Sequence, residues 1–168
     1  MADETSDRFA LPLLAAGQAQ KEMTHNEALA MVDMLLHPLA QSMALSVPPE
    51  SALPGQCWIV AEGGSGAWEG HDDDLAAFTS GGWRFVAPRE GMRVTVAGEG
   101  GACHYDGAQW VPDGVRPDGL YMEGDRVVGP RAAAIPDPDG GMVVDAETRL
   151  ALGQLLSALR SHGLIAAA

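Results

Sequence analysis

The densest group of reactive side chains in this sequence is one acidic cluster. Glu69, His71 and the acidic run 72–74 are close together in the chain, and carboxylate oxygens are the ligands that calcium prefers. The cluster lacks the alternating Asp-x-Asp-x-Asp-Gly order of a calcium loop, and acidic residues favour the positive end of a helix dipole. We therefore predict a short helix at residues 72–78, and no bound metal ion or other cofactor.

Groups that could act in catalysis are scattered along the chain. Neither the histidines nor the cysteines lie in a nucleophile motif, and the pattern Gly-x-Ser-x-Gly does not occur. A glycosidase needs two carboxylates that face each other across a cleft, and the sequence singles out no pair among its 23 acidic residues. We predict no catalytic residue and no enzymatic activity.

Aromatic residues beside turns are the remaining candidates for ligand binding. Flat sugar faces stack on Trp and Tyr, which combine a large apolar area with a polar group. Trp68, Tyr105 and Trp110 each lie next to a Gly- or Asp-containing turn, and His71 is close enough to bond a hydroxyl group. The predicted carbohydrate-binding residues are Trp68, His71, Tyr105 and Trp110. The alternative for the tryptophans is that they pack in the core of a small sheet domain.

Charge and composition exclude several classes of partner. The formal net charge is −13, and ten basic residues are dispersed among 23 acidic ones, so the chain lacks the basic patch that a phosphate backbone requires. Cys57 and Cys103 form no CxxC pair, and no apolar stretch reaches the length of a membrane span. The first residues lack the basic start of a secretory signal. We expect synthesis in the cytoplasm, no nucleic-acid partner and no membrane insertion.

The N-terminal third predicts an arm followed by a helix. Phe9, Leu11, Leu13 and Leu14 surround Pro12, which disfavours helix in the preceding residue. We therefore predict an extended arm that packs on its own domain or docks on a partner through these four apolar residues. A capping-box spacing from Thr24 to Glu27 and a helical recurrence of apolar residues predict a helix at residues 26–36.

The middle of the chain predicts short strands, because it combines many Gly and Pro residues with alternating apolar positions. An edge strand is expected at residues 41–47 and a strong strand at 56–61. Hairpins are expected between 83–87 and 92–97, between 102–105 and 110–111, and between 120–122 and 126–128. The last two pairs flank Asp-Gly and Glu-Gly-Asp turns.

The end of the chain predicts a linker and a helix. Residues 129–141 are rich in Pro and Gly, and an apolar stripe then recurs within residues 146–161. Leu152, Leu155, Leu156 and Leu159 are the predicted oligomer contacts of this helix. The predicted class is α+β, with a docking arm and helix at 1–38, an antiparallel β-rich body of short hairpins at 39–130, and a linker and C-terminal helix at 131–168.

Several stretches resemble a family that has long been described as a domain of unknown function and occurs in phages, prophages and gene transfer agents of alphaproteobacteria. The stretches are ETSDRFALPLL, GQAQKEMTHNEAL, CWIVAEGGSGAWEG, GGWRFVAPREGMRVTV, YDGAQW and the closing DAETRL…LRSHGLI. The resemblance implies a structural virion protein, closest to a head spike of a gene transfer agent. It brings no catalytic residues.

The same resemblance implies a place and partners for the chain. A spike or fibre subunit is displayed on the exterior of a virion-like particle, binds a capsid or spike-base protein, and aids attachment to host surface polysaccharide. A homotrimer is usual for fibres, and a homopentamer is the alternative for a base at a fivefold vertex. A stand-alone carbohydrate-binding module or a tail-fibre subunit is the alternative function, followed by a glycan-degrading enzyme.

Overall fold

The computed structural model describes residues 5–15, 17, 21–98, 101–131 and 144–165. By internal contacts the chain divides into two compact units, Met1–Pro112 and Asp113–Ala168. The α+β class is confirmed, since two helices accompany a body of short and mostly antiparallel strands. This grouping places the N-terminal segment and the first helix in one unit with the larger sheet, whereas the predicted division has its boundaries after residues 38 and 130.

The described part of the first unit contains one helix and one seven-stranded sheet. The elements are α1 Lys21–Leu35, β1 Leu39–Ala40, β2 Cys57–Ile59, β3 Leu75–Thr79, β4 Gly82–Val86, β5 Arg93–Val96, β6 Gly101–Tyr105 and β7 Trp110–Pro112. The strand order is β4-β3-β2-β1-β5-β6-β7. β1 lies at the centre and runs parallel to β2 and β5, while the other neighbours pair antiparallel.

The central position of β1 corrects the prediction of an edge strand at 41–47. Regular pairing ends at Ala40, whose side chain is fully buried, and Leu45 makes an isolated bridge to Val60. After β1 the chain continues beside β2 with irregular pairing, and the Ser42 hydroxyl accepts a local hydrogen bond from the Ala44 N–H at 3.0 Å. Such local side-chain bonds compete with a strand ladder.

The predicted helix at 72–78 and the first predicted hairpin are both wrong. Leu75–Thr79 is a strand that pairs antiparallel with β2 and β4, so β3 and β4 form the hairpin. β5 instead pairs with β1 and β6. The two alanines of β3 favour helix by propensity, but burial between two strands overrides that preference. The helical turn nearby is a 3-10 turn at Gly66–Trp68.

Both faces of the sheet centre are buried, which gives the first unit two core clusters. In β2, Cys57 and Ile59 belong to one cluster, with Met34 of α1, and Trp58 belongs to the other, with Trp68. Successive side chains of a strand point to opposite faces. A strand with an uninterrupted apolar pattern is therefore expected only where both faces are covered, and α1 and the segment around Trp68 supply the covers.

Helix α1 begins five residues before its predicted start, at Lys21, and ends at Leu35. Thr24 therefore lies inside the helix, and the predicted capping box is wrong. The carboxylate of Glu27 instead accepts hydrogen bonds from the Arg84 guanidinium of β4, the shortest at 2.6 Å. This pair links the helix to the edge of the sheet.

The second unit contains a three-stranded sheet and a helix in its described part. The elements are β8 Val115–Arg116, β9 Gly119–Met122, β10 Asp125–Val128 and α2 Val144–Ser161. The predicted hairpins β6–β7 and β9–β10 are confirmed, and α2 confirms the predicted C-terminal helix. The predicted linker lies largely outside the described residues.

Candidate functional site

The predicted sugar-binding tryptophans lie inside the fold. Trp68 has 0% of its surface exposed and Trp110 has 7%. Trp68 packs edge-on against Trp83 at 5.2 Å between ring centroids and lies 6.2 Å from Trp58. A ring that stacks on a sugar must offer an exposed face, so the assignment of Trp68 and Trp110 as sugar contacts is corrected: both are core residues.

His71 and Tyr105 retain part of their surface. The His71 ring stacks on Phe85 at 3.6 Å between centroids, and its Nδ1 lies 2.7 Å from the Asp74 carboxylate. Tyr105 is half-buried and packs edge-on against Trp110, whose Nε1–H donates to the Asp73 carbonyl at 2.8 Å. The loop that contains His71 and Asp73 therefore lies beside Trp110, and Tyr105 packs on the same tryptophan. We call His71 and Tyr105 the rim of this buried tryptophan.

The acidic run 72–74 serves local structure. The exposed Asp72 carboxylate accepts hydrogen bonds from the backbone N–H groups of Gly64, at 2.8 Å, and Gly63, at 3.1 Å. These bonds hold the pKa of Asp72 below its usual value. Burial and the neighbouring acidic residues raise the pKa of Asp73. Among the described residues, no three His, Cys, Asp or Glu side chains are grouped so that they could hold a metal ion.

The N-terminal segment, which we define as residues 5–14, is fastened to its own unit by Arg8 and Asp33. The Arg8 guanidinium donates to the carbonyls of Asp33, Met34, Leu36 and His37 at 2.7 to 3.1 Å. These carbonyls lie at the C-terminal end of α1, where unpaired acceptors and the negative end of the dipole favour a cation. In return, the buried Asp33 carboxylate accepts the backbone N–H groups of Arg8 and Phe9, both at 2.8 Å.

Two more side chains extend this attachment. The Asn26 amide of α1 accepts from the Leu14 N–H at 2.9 Å and donates to the Leu14 carbonyl at 3.0 Å. The Asp7 carboxylate accepts the Ser80 N–H at 2.9 Å, at the turn between β3 and β4. Residues 5–14 therefore pack on their own unit, which is one of the two alternatives that the sequence left open.

The predicted docking residues are accordingly less available than the sequence implies. Phe9 is 45% exposed, whereas Leu11, Leu13 and Leu14 are half-buried. Leu13 lines a cavity of about 270 Å³ between the N-terminal segment, α1 and the β3–β4 hairpin. Of the four residues, Phe9 alone keeps a largely free surface for a partner.

A larger uncovered surface lies at the end of α1. Five apolar side chains there are between 39% and 46% exposed, and we call them the α1 face: Met31, Val32, Leu35, Leu36 and Leu39. A groove of about 430 Å³ runs beside them, between the end of α1 and strands β5 and β6. The sequence had one signal for this surface, because α1 carries more apolar residues than one buried face can hold.

The predicted oligomer contacts lie on α2 of the second unit. Leu152 and Leu155 are 53% and 50% exposed, and Leu156 and Leu159 are half-buried. Neither helix in the described part of the chain is long and apolar enough to cross a membrane.

Comparison with known proteins places this architecture in a family. The family model described as "Protein of unknown function (DUF2793)" matches residues 25–111, a span from α1 to β7 that exceeds half of the chain. A comparison with curated proteins finds no significant match. The chain therefore belongs to the DUF2793 family of proteins of unknown function.

Proposed function

We propose that the chain is a structural subunit of a head spike or fibre on a phage-like gene transfer agent, and that it aids attachment to the host cell surface. The observation that carries the proposal is the α1 face. It is an apolar surface within the segment that matches the family, and clustered exposed apolar side chains mark protein interfaces. The sequence resemblance described above supplies the type of particle.

In this proposal the α1 face is the surface that docks on a capsid or spike-base protein. We prefer the α1 face to the N-terminal segment as the docking surface, because that segment is already hydrogen-bonded to its own unit. The side chains that make these bonds are Asp7, Arg8, Asn26 and Asp33. A segment that is bonded to its own helix and sheet has few backbone groups left for a partner. Phe9 contributes to docking from the margin of the same unit.

A pair of charge insertions tests the docking surface. We expect Val32→Asp/Leu35→Asp to abolish incorporation into particles when it replaces the natural protein in a producing strain, because a carboxylate in an apolar interface remains unpaired. Leu53→Asp is the matched control, since Leu53 is 63% exposed in a loop of the same unit. Immunoblots of purified particles report incorporation, and tryptophan fluorescence of the purified variants reports folding.

The docking proposal fails if Val32→Asp/Leu35→Asp is folded and is incorporated into particles to the same extent as Leu53→Asp. Deletion of residues 1–23 is a poor substitute for this experiment. It removes Arg8 and therefore the bonds that close the end of α1, so that lost incorporation would report misfolding as readily as lost docking.

Host polysaccharide binding by the rim of His71 and Tyr105 is a second candidate function. Its supporting observation is that the His71 ring stacks on Phe85 while its side chain remains 36% exposed. We expect His71→Ala to weaken binding of purified capsular polysaccharide by several-fold in titration calorimetry. His25→Ala, at an exposed position of α1, is the control, and equal binding by the two variants would remove this candidate.

A further inference from the structure

A cavity of about 270 Å³ lies within the first unit, between the N-terminal segment, α1 and the β3–β4 hairpin. We call it the N-terminal cavity. Every residue that lines it belongs to the described part of the chain. An engineered cavity of about 150 Å³ with apolar walls binds benzene in another protein. The N-terminal cavity therefore has room for a molecule larger than a single ring.

Apolar side chains form the inner part of the N-terminal cavity. Its most deeply buried lining side chains, Met34 and Ala77, belong to a core cluster of the sheet. Leu13, Ala30 and Phe78 are half-buried and line it further out. The exposed lining residues form the mouth and include Met23, Glu27, Ser80 and Gly81. An apolar interior with a few polar groups at its margin is the usual arrangement of a small-molecule site.

The charged and amide side chains that line the cavity have partners within the protein. Both oxygens of the Asp33 carboxylate accept N–H groups of the N-terminal segment, and the Asn26 amide is bonded in both directions to Leu14. The Glu27 carboxylate and the Arg84 guanidinium pair with each other. A charged ligand would lose its hydration and meet no unpaired counterion among these groups, so the cavity favours a neutral ligand.

The kinds of apolar side chain in the cavity favour an aromatic ligand. Phe78 contributes a ring, and aromatic rings prefer to pack on one another in offset or edge-on arrangements. Met23 and Met34 contribute thioethers, which make favourable contacts with ring edges and adapt to the shape of what they touch. Ring and thioether groups thus approach the same space from the helix and from the sheet.

We propose that the N-terminal cavity is a binding site for a neutral aromatic small molecule of about two fused rings. The ligand lies between Phe78, Met34 and Ala30, with its more polar edge toward the mouth. The inference goes beyond the proposed function and does not depend on it, because no residue of the α1 face lines this cavity.

Binding in this cavity would also hold the N-terminal segment in place. The segment forms one side of the cavity, and it approaches the body closely at Gly55, where φ is +90° and a Cβ would lie 3.2 Å from the Asp7 carbonyl oxygen. A molecule that contacts both the segment and α1 binds only when the segment is seated, and it stabilises that arrangement by mass action. We therefore expect the N–H groups of Arg8 and Phe9 to exchange with solvent more slowly when the cavity is occupied.

Titration calorimetry of the full chain with indole, a neutral molecule of two fused rings, tests the inference. We expect saturable binding of one indole per chain, and we expect Ala30→Leu to weaken it by about tenfold or more, because the larger side chain occupies the cavity. Ala28→Leu is the matched control, since it makes the same substitution at an exposed position of α1 that does not line the cavity. Urea denaturation followed by tryptophan fluorescence shows, before indole is added, that each variant is folded.

Amide chemical shifts of the natural protein locate the bound indole without any substitution, and they decide the matter if Ala30→Leu does not fold. We expect the largest changes at Ala30, Phe78 and Thr79.

Three outcomes would each overturn the inference. They are no saturable binding of indole by the natural protein, equal binding by folded Ala30→Leu and Ala28→Leu, and shift changes confined to the α1 face. Val32→Asp/Leu35→Asp leaves the cavity lining unchanged and should bind indole like the natural protein, so this site and the proposed docking surface are tested separately.

Discussion

At the scale of single residues, Arg8 and Asp33 form a reciprocal set of hydrogen bonds that joins the N-terminal segment to α1. The Arg8 guanidinium closes the end of α1, and the Asp33 carboxylate receives the backbone of the segment that carries Arg8. Each residue therefore satisfies groups that the other would leave unpaired. Buried hydrogen-bonding groups that lose a partner are costly.

We expect Asp33→Ala to lower the free energy of unfolding of the first unit by about 2–4 kcal/mol, because it leaves two backbone donors without an acceptor. Urea denaturation followed by tryptophan fluorescence measures it, since all four tryptophans lie in the first unit. Glu69→Ala, which removes an exposed carboxylate, is expected to change the value by less than about 0.5 kcal/mol. A cost for Asp33→Ala as small as that of Glu69→Ala would show that the exchange contributes little.

The hydrogen bonds of Asp72 lead us to expect that the stability of the loop before β3 depends on pH. Its folded-state pKa is lowered by the N–H groups of Gly64 and Gly63, so its stabilisation is fully present above the unfolded value of about 3.9. That stabilisation is lost as the pH falls through the lower folded pKa.

The melting temperature of the natural protein should therefore fall more steeply with acidification below about pH 4 than that of Asp72→Asn. Thermal scans from pH 6 to pH 3 compare the two proteins. Glu62→Gln removes a neighbouring exposed charge and controls for the change in net charge. Parallel curves for Asp72→Asn and the natural protein would contradict this role of the Asp72 carboxylate.

At the scale of elements, the centre of the sheet is its best protected part. β2 is buried along its length, and β1 pairs in parallel with β2 on one side and with β5 on the other. Cys57 of β2 has no exposed surface, and burial raises the pKa of its thiol to about 11. Cys103 of β6 is also buried. The reactivity of the two thiols therefore reports whether the strands around them remain packed.

We expect neither cysteine to react with a thiol-specific dye at pH 8 within minutes, because the thiolate is the reactive form and both thiols are inaccessible. In urea both should react fully. The absorbance of the released dye anion gives the number of thiols that have reacted per chain, and free cysteine calibrates the measurement. Rapid reaction of one equivalent in the folded protein would mean that the sheet opens near that cysteine.

The sequence predicts elements where the signal is local and misses those that depend on distant residues. The turns at Asp106-Gly107 and at Glu123-Gly124 define hairpins by themselves, and in the second of these Glu123 and Gly124 both have positive φ, as a tight hairpin turn requires. The α2 helix has an unambiguous period. By contrast, β3 contains alanines whose strand conformation comes from β2 and β4, which no local pattern shows.

The candidate sites follow the same rule. Whether Trp68 is a ligand contact or a core residue depends on Trp58 and Trp83, which are distant in sequence. The attachment of the N-terminal segment depends on residues 12 to 73 positions away in the chain. The exposed leucines of α2 were predictable as an apolar stripe, but their lack of cover is a property of the folded chain.

At the scale of the whole molecule, the two units differ in how much they can stabilise themselves. The first holds every buried apolar residue of the described chain, and the second holds none. The family match also ends at residue 111, next to the boundary between the units. A self-sufficient first unit and a dependent second unit are what these observations lead us to expect.

We expect a fragment of residues 1–112 to fold alone with a cooperative urea transition, and a fragment of residues 113–168 to show little structure at low concentration. Circular dichroism and fluorescence measure the first fragment, and circular dichroism over a concentration series measures the second. The full chain is the reference for both. A first fragment without a cooperative transition would show that the second unit contributes to its stability.

The fastening of the N-terminal segment also has a consequence for synthesis on the ribosome. Asp7 bonds to Ser80, which is 73 residues later in the chain. At translation rates of 5–20 residues per second, Ser80 is made about 4–15 s after Asp7. The bonds of the same segment to Asn26 and Asp33 involve residues only 12 to 25 positions later in the chain. The N-terminal segment can therefore be attached to α1 several seconds before its bond to the β3–β4 turn can form.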